Sequence, residues 1–304
     1  MPSADRYEDL RPLLFSIAYE MLGVVGDAED IAQEAFLRLE RAEQEGTRVE
    51  SARAFLTTVT TRLAIDELRS ARVRRERYLG PWLPEPLITD PAPSPAHAAE
   101  TADSLSLSFL VLLETLSPIE RAVFLLHEVF DYRYREIAGI VDKSEANCRQ
   151  ILGRARKRID EGKPRFETDR AQQKELTKTF LDAFEHGDID RLVTLLAPDV
   201  VFTGDGGSKG QGLPKPVYGR ERVLRLLAAF ATQGAAIGGR IVQTTINSRP
   251  GTLNLDRDGK LINVFSFEIL GGQIQAIRSI INPEKLKHLG YQLSDIGRKR
   301  EAAT

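Results

Sequence analysis

Residues 134–158, Tyr-Arg-Glu-Ile-Ala-Gly-Ile-Val-Asp-Lys-Ser-Glu-Ala-Asn-Cys-Arg-Gln-Ile-Leu-Gly-Arg-Ala-Arg-Lys-Arg, carry two short amphipathic patterns separated by a turn. Ile137, Ala138 and Val141 mark the apolar face of the first. Asp142-Lys143 makes the turn, and Ser144 is placed to cap the second helix through its hydroxyl. Cys148, Ile151, Leu152 and Ala155 then recur at helical spacing and face inward, leaving Arg149, Gln150, Arg154, Arg156, Lys157 and Arg158 outside. A helix-turn-helix entering a major groove has this form. An ordinary helical hairpin with a solvated basic face has it too, so the rest of the chain must decide.

The 304 residues allow two or three domains. The net charge of −2 excludes nucleic-acid binding by bulk charge, so any DNA-binding surface must be local. The charge is indeed uneven. Between residues 5 and 34 stand Asp5, Glu8, Asp9, Glu20, Asp27, Glu29, Asp30 and Glu34 against Arg6 and Arg11. Between 69 and 77 stand Arg69, Arg72, Arg74, Arg75 and Arg77 against Glu76. A single cysteine, Cys148, excludes an internal disulfide and a cysteine-cluster metal site, and neither metal nor cofactor is expected. No apolar run approaches the roughly 20 residues that span a bilayer. The opening Met-Pro-Ser-Ala-Asp-Arg is not a signal peptide, so the expected compartment is the cytoplasm.

Helical stripes open the chain. Leu10, Leu13, Leu14, Ile17, Ala18, Met21 and Leu22 form the first, closed by Gly23 to Gly26. The second follows Asp27 with Ile31, Ala32, Ala35, Phe36 and Leu39 inward, and 41–50 reads as a loop. From Ser51 to Arg77, the run Thr57-Thr58-Val59-Thr60-Thr61 favours a strand on propensity. The stripe Phe55, Leu56, Val59, Leu63 and Leu68 argues for a helix, and the period takes precedence. Pro81, Pro84, Pro86, Pro91, Pro93 and Pro95 make 79–97 a stiff, extended linker. Helices resume near Leu105 and include a start at Ser117-Pro118-Ile119-Glu120. They end near Ile159, with a boundary at Gly162-Lys163-Pro164. Beyond residue 170 come helices around Leu176–Phe184, Ile189–Leu196 and Val223–Phe230, a strand at Val200–Phe202, and strands at 240–247, 252–256, 260–270 and 273–281. Pro250-Gly251, Asp258-Gly259 and Gly271-Gly272 are read as the turns between them. This last part is α+β, with a curved antiparallel sheet.

The segment Asp27-Ala-Glu-Asp-Ile-Ala-Gln-Glu-Ala-Phe sets Asp27, Asp30 and Glu34 along one stripe, with Gln33 beside them. Carboxylates suit a helix N-terminus, but no lysine or arginine lies between Asp27 and Leu37, which fits an arginine-lined partner. The segment resembles region 2.2 of bacterial sigma factors, the helix that docks on the β′ clamp helices of RNA polymerase. Arg53-Ala-Phe-Leu-Thr-Thr-Val-Thr-Thr-Arg-Leu-Ala-Ile-Asp-Glu-Leu-Arg resembles regions 2.3 and 2.4, which open and read the −10 promoter element. Leu116-Ser-Pro-Ile-Glu-Arg-Ala-Val-Phe-Leu-Leu with the helix-turn-helix resembles region 4, which reads the −35 element. Nothing resembles regions 1.1 or 3, so over residues 5–160 the likeness is to the compact extracytoplasmic-function group.

This resemblance implies polymerase contacts at Asp27, Asp30, Gln33 and Glu34, and −10 contacts at Arg48, Arg53, Arg62, Arg69 and Arg72. It implies −35 contacts at Ser144, Asn147, Arg149, Gln150 and Arg154, with Arg156, Lys157 and Arg158 toward phosphates or solvent. Phe55 stands where the family usually has tryptophan. Trp82-Leu83-Pro84-Glu85-Pro86, Asp205-Gly206-Gly207-Ser208-Lys209 and Asn282-Pro283-Glu284-Lys285-Leu286 are similar to signatures of the subgroup with a fused SnoaL-like extension. Ser208 replaces a usual glycine and Glu284 a usual aspartate. In that subgroup the extension packs on the sigma core and modulates it in cis. The implied organisation is a sigma-2 domain (1–78), a proline-rich linker (79–103), a sigma-4 domain (104–168), a SnoaL-like domain (169–290) and a tail (291–304). The implied partners are core polymerase, through the β′ clamp helices and the β flap, and promoter DNA. No membrane is involved, and the free protein is expected to be a nucleoid-associated monomer.

SnoaL-like cones also serve as enzymes, which need a histidine–carboxylate pair in a pocket. His186 in a helix-ending turn and His288 near the tail are poor candidates, so the chain reads as a non-enzyme. Two alternatives stay open: a ligand-sensing repressor acting without polymerase, and a SnoaL-like enzyme fused to a DNA-binding module.

Overall fold

Stripes of apolar residues place the first three helices as expected: α1 (Ala4–Leu22), α2 (Val25–Gln44) and α3 (Ala52–Arg75). The structure, a computed structural model, describes residues 4–89, 106–162 and 170–296. Pro91, Pro93 and Pro95, the boundary at Lys163-Pro164 and the end of the tail lie outside these residues. Leu14 of α1, Ala32, Ala35 and Leu39 of α2 and Leu56 of α3 form one core cluster, against which Phe55 packs half-buried. The Thr57–Thr61 run is helical, and Thr57, Thr60 and Thr61 are buried. Packing of the stripe outweighs β-propensity here. Ser51 caps α3 by accepting the Ala54 N–H at 3.2 Å. The second helix begins two residues before Asp27, at Val25, and runs to Gln44 through part of the expected loop. Gly23 (φ 68°) turns the chain out of α1, so Gly26 is free to be helical.

Next come α4 (Leu107–Leu113), α5 (Pro118–Glu128), α6 (Tyr134–Val141) and α7 (Glu145–Gly162). Ser117 and Glu120 form the full capping box at the start of α5, with Pro118 in the first turn. The chain divides into two compact units, Met1–Arg77 with Phe109–Lys163, and Tyr78–Ser108 with Pro164–Thr304.

The second unit adds α8 (Arg170–Glu185), α9 (Ile189–Leu195), β1 (Leu196–Asp205), β2 (Val217–Tyr218), α10 (Arg220–Ala236), β3 (Arg240–Ile246), β4 (Arg249–Leu255), β5 (Leu261–Leu270) and β6 (Gln273–Ile280). The strands form one sheet in the order β2-β1-β6-β5-β4-β3. It is mixed rather than wholly antiparallel, because β1 runs parallel to β6. The hairpins β3-β4, β4-β5 and β5-β6 are antiparallel, as short turns require. Much sequence separates β1 from β6, so no turn fixes their direction. Leu196 belongs to β1 and not to the helix before it. Pro250-Gly251 lies inside β4; the β3-β4 turn is Asn247-Ser248, with φ 50° and 61°. Two successive left-handed residues give the primed turn that matches strand twist. Gly251 is needed for another reason: a Cβ there would lie 2.5 Å from the Phe265 carbonyl oxygen. Helices α8 and α10 cover one face through Phe180, Phe184, Val223 and Leu227, which meet Phe202, Phe265 and Phe267 of the sheet.

Candidate functional site

The turn of the helix-turn-helix forms as expected. Asp142 takes a left-handed conformation (φ 54°) and ends α6, while Lys143 N–H donates to the Ala138 carbonyl at 3.1 Å. Ser144 caps α7 by accepting the Asn147 N–H at 3.2 Å. Cys148, Ile151, Leu152 and Ala155 are buried, joined on α6 by Ile137, Ile140 and Val141, while Ala138 is half-buried. Burial pushes the Cys148 thiol up, which suits a packing role. Ser144, Asn147, Arg149, Gln150 and Arg154 are all exposed.

Acids organise the basic face of α7. Arg149 pairs with Glu145 at 3.0 Å, and its guanidinium carbon lies 4.9 Å from the Tyr134 ring centroid. Arg156 pairs with Glu128 at 2.7 Å, and Arg158 with Glu120 at 2.6 Å; Arg154 stands 3.8 Å from Glu120. Burial raises the Glu120 carboxyl, but hydrogen bonds from Ser117 and the charge of Arg158 bring it below the usual range.

The five arginines expected at the −10 element divide into two groups. Arg48, Arg53 and Arg69 are exposed, the last paired with Asp66 at 2.8 Å. Arg62 donates to the Ile140 carbonyl at 2.8 Å and the Gly139 carbonyl at 2.9 Å, capping the C-terminal end of α6. Arg72 donates to the Leu116 and Glu114 carbonyls. A neighbouring network was not foreseen. Arg121, fully buried, donates to Glu114 at 2.6 Å and to the Glu20 carbonyl at 2.9 Å. Arg75 donates to Glu114 at 2.5 Å and to the Leu22 carbonyl at 2.6 Å. In sequence Arg121 sits within an apolar helix start and Glu114 stands alone, so periodicity carried no signal of the pair.

On α2, Asp30 and Gln33 are exposed, while Asp27 and Glu34 are half-buried. Burial, then the charge of Glu67, raises the Asp27 carboxyl. Glu34 is paired with Arg38 at 2.8 Å, just beyond the acidic stretch.

In the second unit the three short motifs converge on Asp205, which has no exposed surface. Its carboxylate accepts the Tyr78 hydroxyl at 2.5 Å and the Leu83 N–H at 2.8 Å, and pairs with Lys285 Nζ at 2.7 Å. Lys285 also donates to the Leu83 carbonyl and stands 4.2 Å from the Trp82 ring centroid and 4.9 Å from that of Tyr78. Asn282 donates through Nδ2 to the Tyr78 hydroxyl at 2.8 Å. Both Ile281 and Asn282 N–H groups donate to the Asp205 carbonyl. Leu83, Pro84, Pro86 and Leu286 are buried; Glu85 and Pro283 are half-buried. A side chain at Gly207 (φ 56°) would be strained and would displace Asn282, because a Cβ there would lie 2.5 Å from Asn282 Nδ2. Gly206 is equally crowded, with Gly212 N at 2.1 Å from such a Cβ. Lys209 pairs with Glu284 at 2.9 Å on the surface.

Tyr78 was missed by sequence reading. It ends an arginine-rich run, and nothing local marks it as a partner of a residue 127 positions away. Burial, then the Asp205 charge, holds its phenol well above the ordinary range, so it stays a donor. Also unforeseen, His288 bonds the Pro86 carbonyl at 2.8 Å, and Leu87 and Thr89 pair with the end of β3 and its turn. Every one of these contacts ties the linker to the sheet domain.

Family models for Sigma-70 region 2, Sigma-70 region 4 and the SnoaL-like domain match residues 6–74, 106–159 and 177–249. The ECF RNA polymerase sigma factor SigJ of Mycobacterium tuberculosis is 35% identical over 288 residues, covering 92% of this chain and 91% of its own. The probable ECF RNA polymerase sigma factor SigI of the same species is 32% identical, covering 93% and 94%. The crystal structure of the M. tuberculosis SigJ protein matches with a TM-score of 0.76 at 33% identity, covering 96% of this chain and 100% of that one.

Proposed function

The chain belongs to the extracytoplasmic-function RNA polymerase sigma factors that carry a C-terminal SnoaL-like domain, and on that premise we propose how its residues divide the work of initiation. Residues 1–78 are the polymerase-binding and −10 domain, 104–168 the −35 domain, 79–103 the linker, 169–290 the regulatory domain and 291–304 a tail. Asp27, Asp30, Gln33 and Glu34 face the β′ clamp, with Asp30 and Gln33 the most available. Region 4 meets the β flap. Arg48 and Arg53 are exposed and track the −10 strand, Arg69 joins them by exchanging its surface pair with Asp66, and Arg62 and Arg72 must first leave the carbonyls they cap. Arg149, Gln150 and Arg154 read base edges in the −35 groove, with Ser144 and Asn147 at its backbone. Arg156 and Arg158 act mainly through Glu128 and Glu120, fixing α7 on α5.

The linker joins the two promoter-reading domains, and its hold on Asp205 supports regulation in cis: whatever loosens that hold changes how the two domains can be spaced. This one cluster carries the reading. The domain acts without catalysis. Its interior is occupied by Phe180, Phe202, Phe265 and Phe267, while His186 bonds the carbonyl of Asp182 and His288 faces the linker. Among the described residues no helix is long and apolar enough to cross a membrane; with its family, the protein works in the cytoplasm on nucleoid DNA, as a monomer until it meets polymerase.

Charge reversal tests the docking assignment. Asp30→Lys should abolish binding to core polymerase in a pull-down while leaving the thermal transition in place. Undiminished binding would overturn the assignment.

A further inference from the structure

Arg149 is not a loose surface arginine. Glu145 takes one side of its guanidinium at 3.0 Å, and the Tyr134 ring lies under it at 4.9 Å. Tyr134 opens α6, and its half-buried ring is itself backed by His127 of α5, with centroids 4.6 Å apart. His127 meets Glu128 at 3.0 Å, and Glu128 holds Arg156 at 2.7 Å. A continuous chain of contacts therefore leaves α7 at Arg149, crosses α6 and α5, and returns to α7 at Arg156. The two arginines stand seven positions apart, about two helical turns, on one face of the recognition helix.

We propose that Tyr134 is a positioning residue for promoter reading: its ring, braced by His127, aims the Arg149 fork at the paired acceptors of one guanine in the −35 element. This rests on the reading of Arg149 as a base-contacting residue. The physics lies in geometry and entropy. A long arginine side chain loses rotamer freedom when it docks on a base edge, and a guanidinium already held over an aromatic face has lost part of it beforehand. Guanine's O6 and N7 match the two parallel donors of arginine, so orientation of the fork decides the contact. A leucine at position 134 would keep apolar bulk for α6 packing but offer no π face.

The test uses holoenzyme assembled from core polymerase and the full-length chain, on promoters selected by the wild-type holoenzyme from a randomised −35 element. Wild type should favour guanine at one position by roughly tenfold or more. Arg149→Ala should erase that preference. Tyr134→Leu should weaken it by about two- to fivefold, as expected for an exposed cation–π contact, and leave other positions unchanged. Tyr134→Phe, which keeps the ring, should restore it, and Tyr134→Leu added to Arg149→Ala should change nothing further. Thermal melting of each variant separates misfolding from lost aim, and Tyr134→Phe remains informative if Tyr134→Leu unfolds. Tyr134→Leu with wild-type preference, or with uniform weakening at every position, overturns the proposal. If Arg149→Ala keeps every preference, the base-contact reading fails first, and that result is distinct from the other two.

Discussion

Removing the Asp205 carboxylate would take the anionic partner from Lys285, a buried cation that also meets the Leu83 carbonyl and two aromatic rings. Breaking one half of such a pair costs about 3–5 kcal/mol, mostly from the charge left behind. Asp205→Ala should therefore lower the denaturation midpoint strongly. The combined variant Asp205→Asn, Lys285→Met should lose less than either single change, because it strands no charge. A chemical denaturation series on the full chain checks the order; a double variant less stable than both singles would contradict it. At this scale much was legible. Asp205, Lys285 and Trp82 stood out in motifs, and the structure brings them together. Tyr78 did not, since its role depends on a contact that no local pattern encodes.

Helix α3 shows how elements override residue preferences. Its threonine run was readable as a helix only through the apolar period, and the structure buries three of those threonines. Arg62 then extends the same helix toward α6. Arg62→Ala should leave two C-terminal carbonyls of α6 without this partner and cost about 1 kcal/mol, given the site's exposure; equilibrium unfolding checks it. Glu114 gives a pH dependence. Burial raises its carboxyl, but the charges of Arg121 and Arg75 bring it below its ordinary 4.5. A carboxyl depressed on folding contributes stability that is complete above its unfolded value and is lost as the pH falls through the folded one. Glu114→Gln should thus flatten the loss of stability below pH 4.5, followed by acid titration of the unfolding free energy. The β3-β4 turn was misplaced for a reason of the same kind. Pro250-Gly251 is the stronger turn signal in the sequence, while the left-handed positions are taken by Asn247 and Ser248. Glycine at 251 answers to the close approach of β5 instead.

For the whole molecule, the order of domains and the class of each were legible because each carries its own periodicity and its own motif. The direction of β1 was not, because parallel pairing with β6 is a tertiary choice between distant segments. Nor was the linker's fate. Its prolines predicted an extended chain, and residues 78–89 are held along the sheet domain by Asp205, Asn247 and His288. Through that hold the SnoaL-like domain can govern initiation in cis. Promoter-directed transcription by core polymerase, run with wild-type protein and with the Asp205→Asn, Lys285→Met variant, tests this most directly. With core binding equal, transcripts per bound polymerase should change by at least about fivefold, the lower range of an allosteric coupling. Equal output from the two proteins would contradict it.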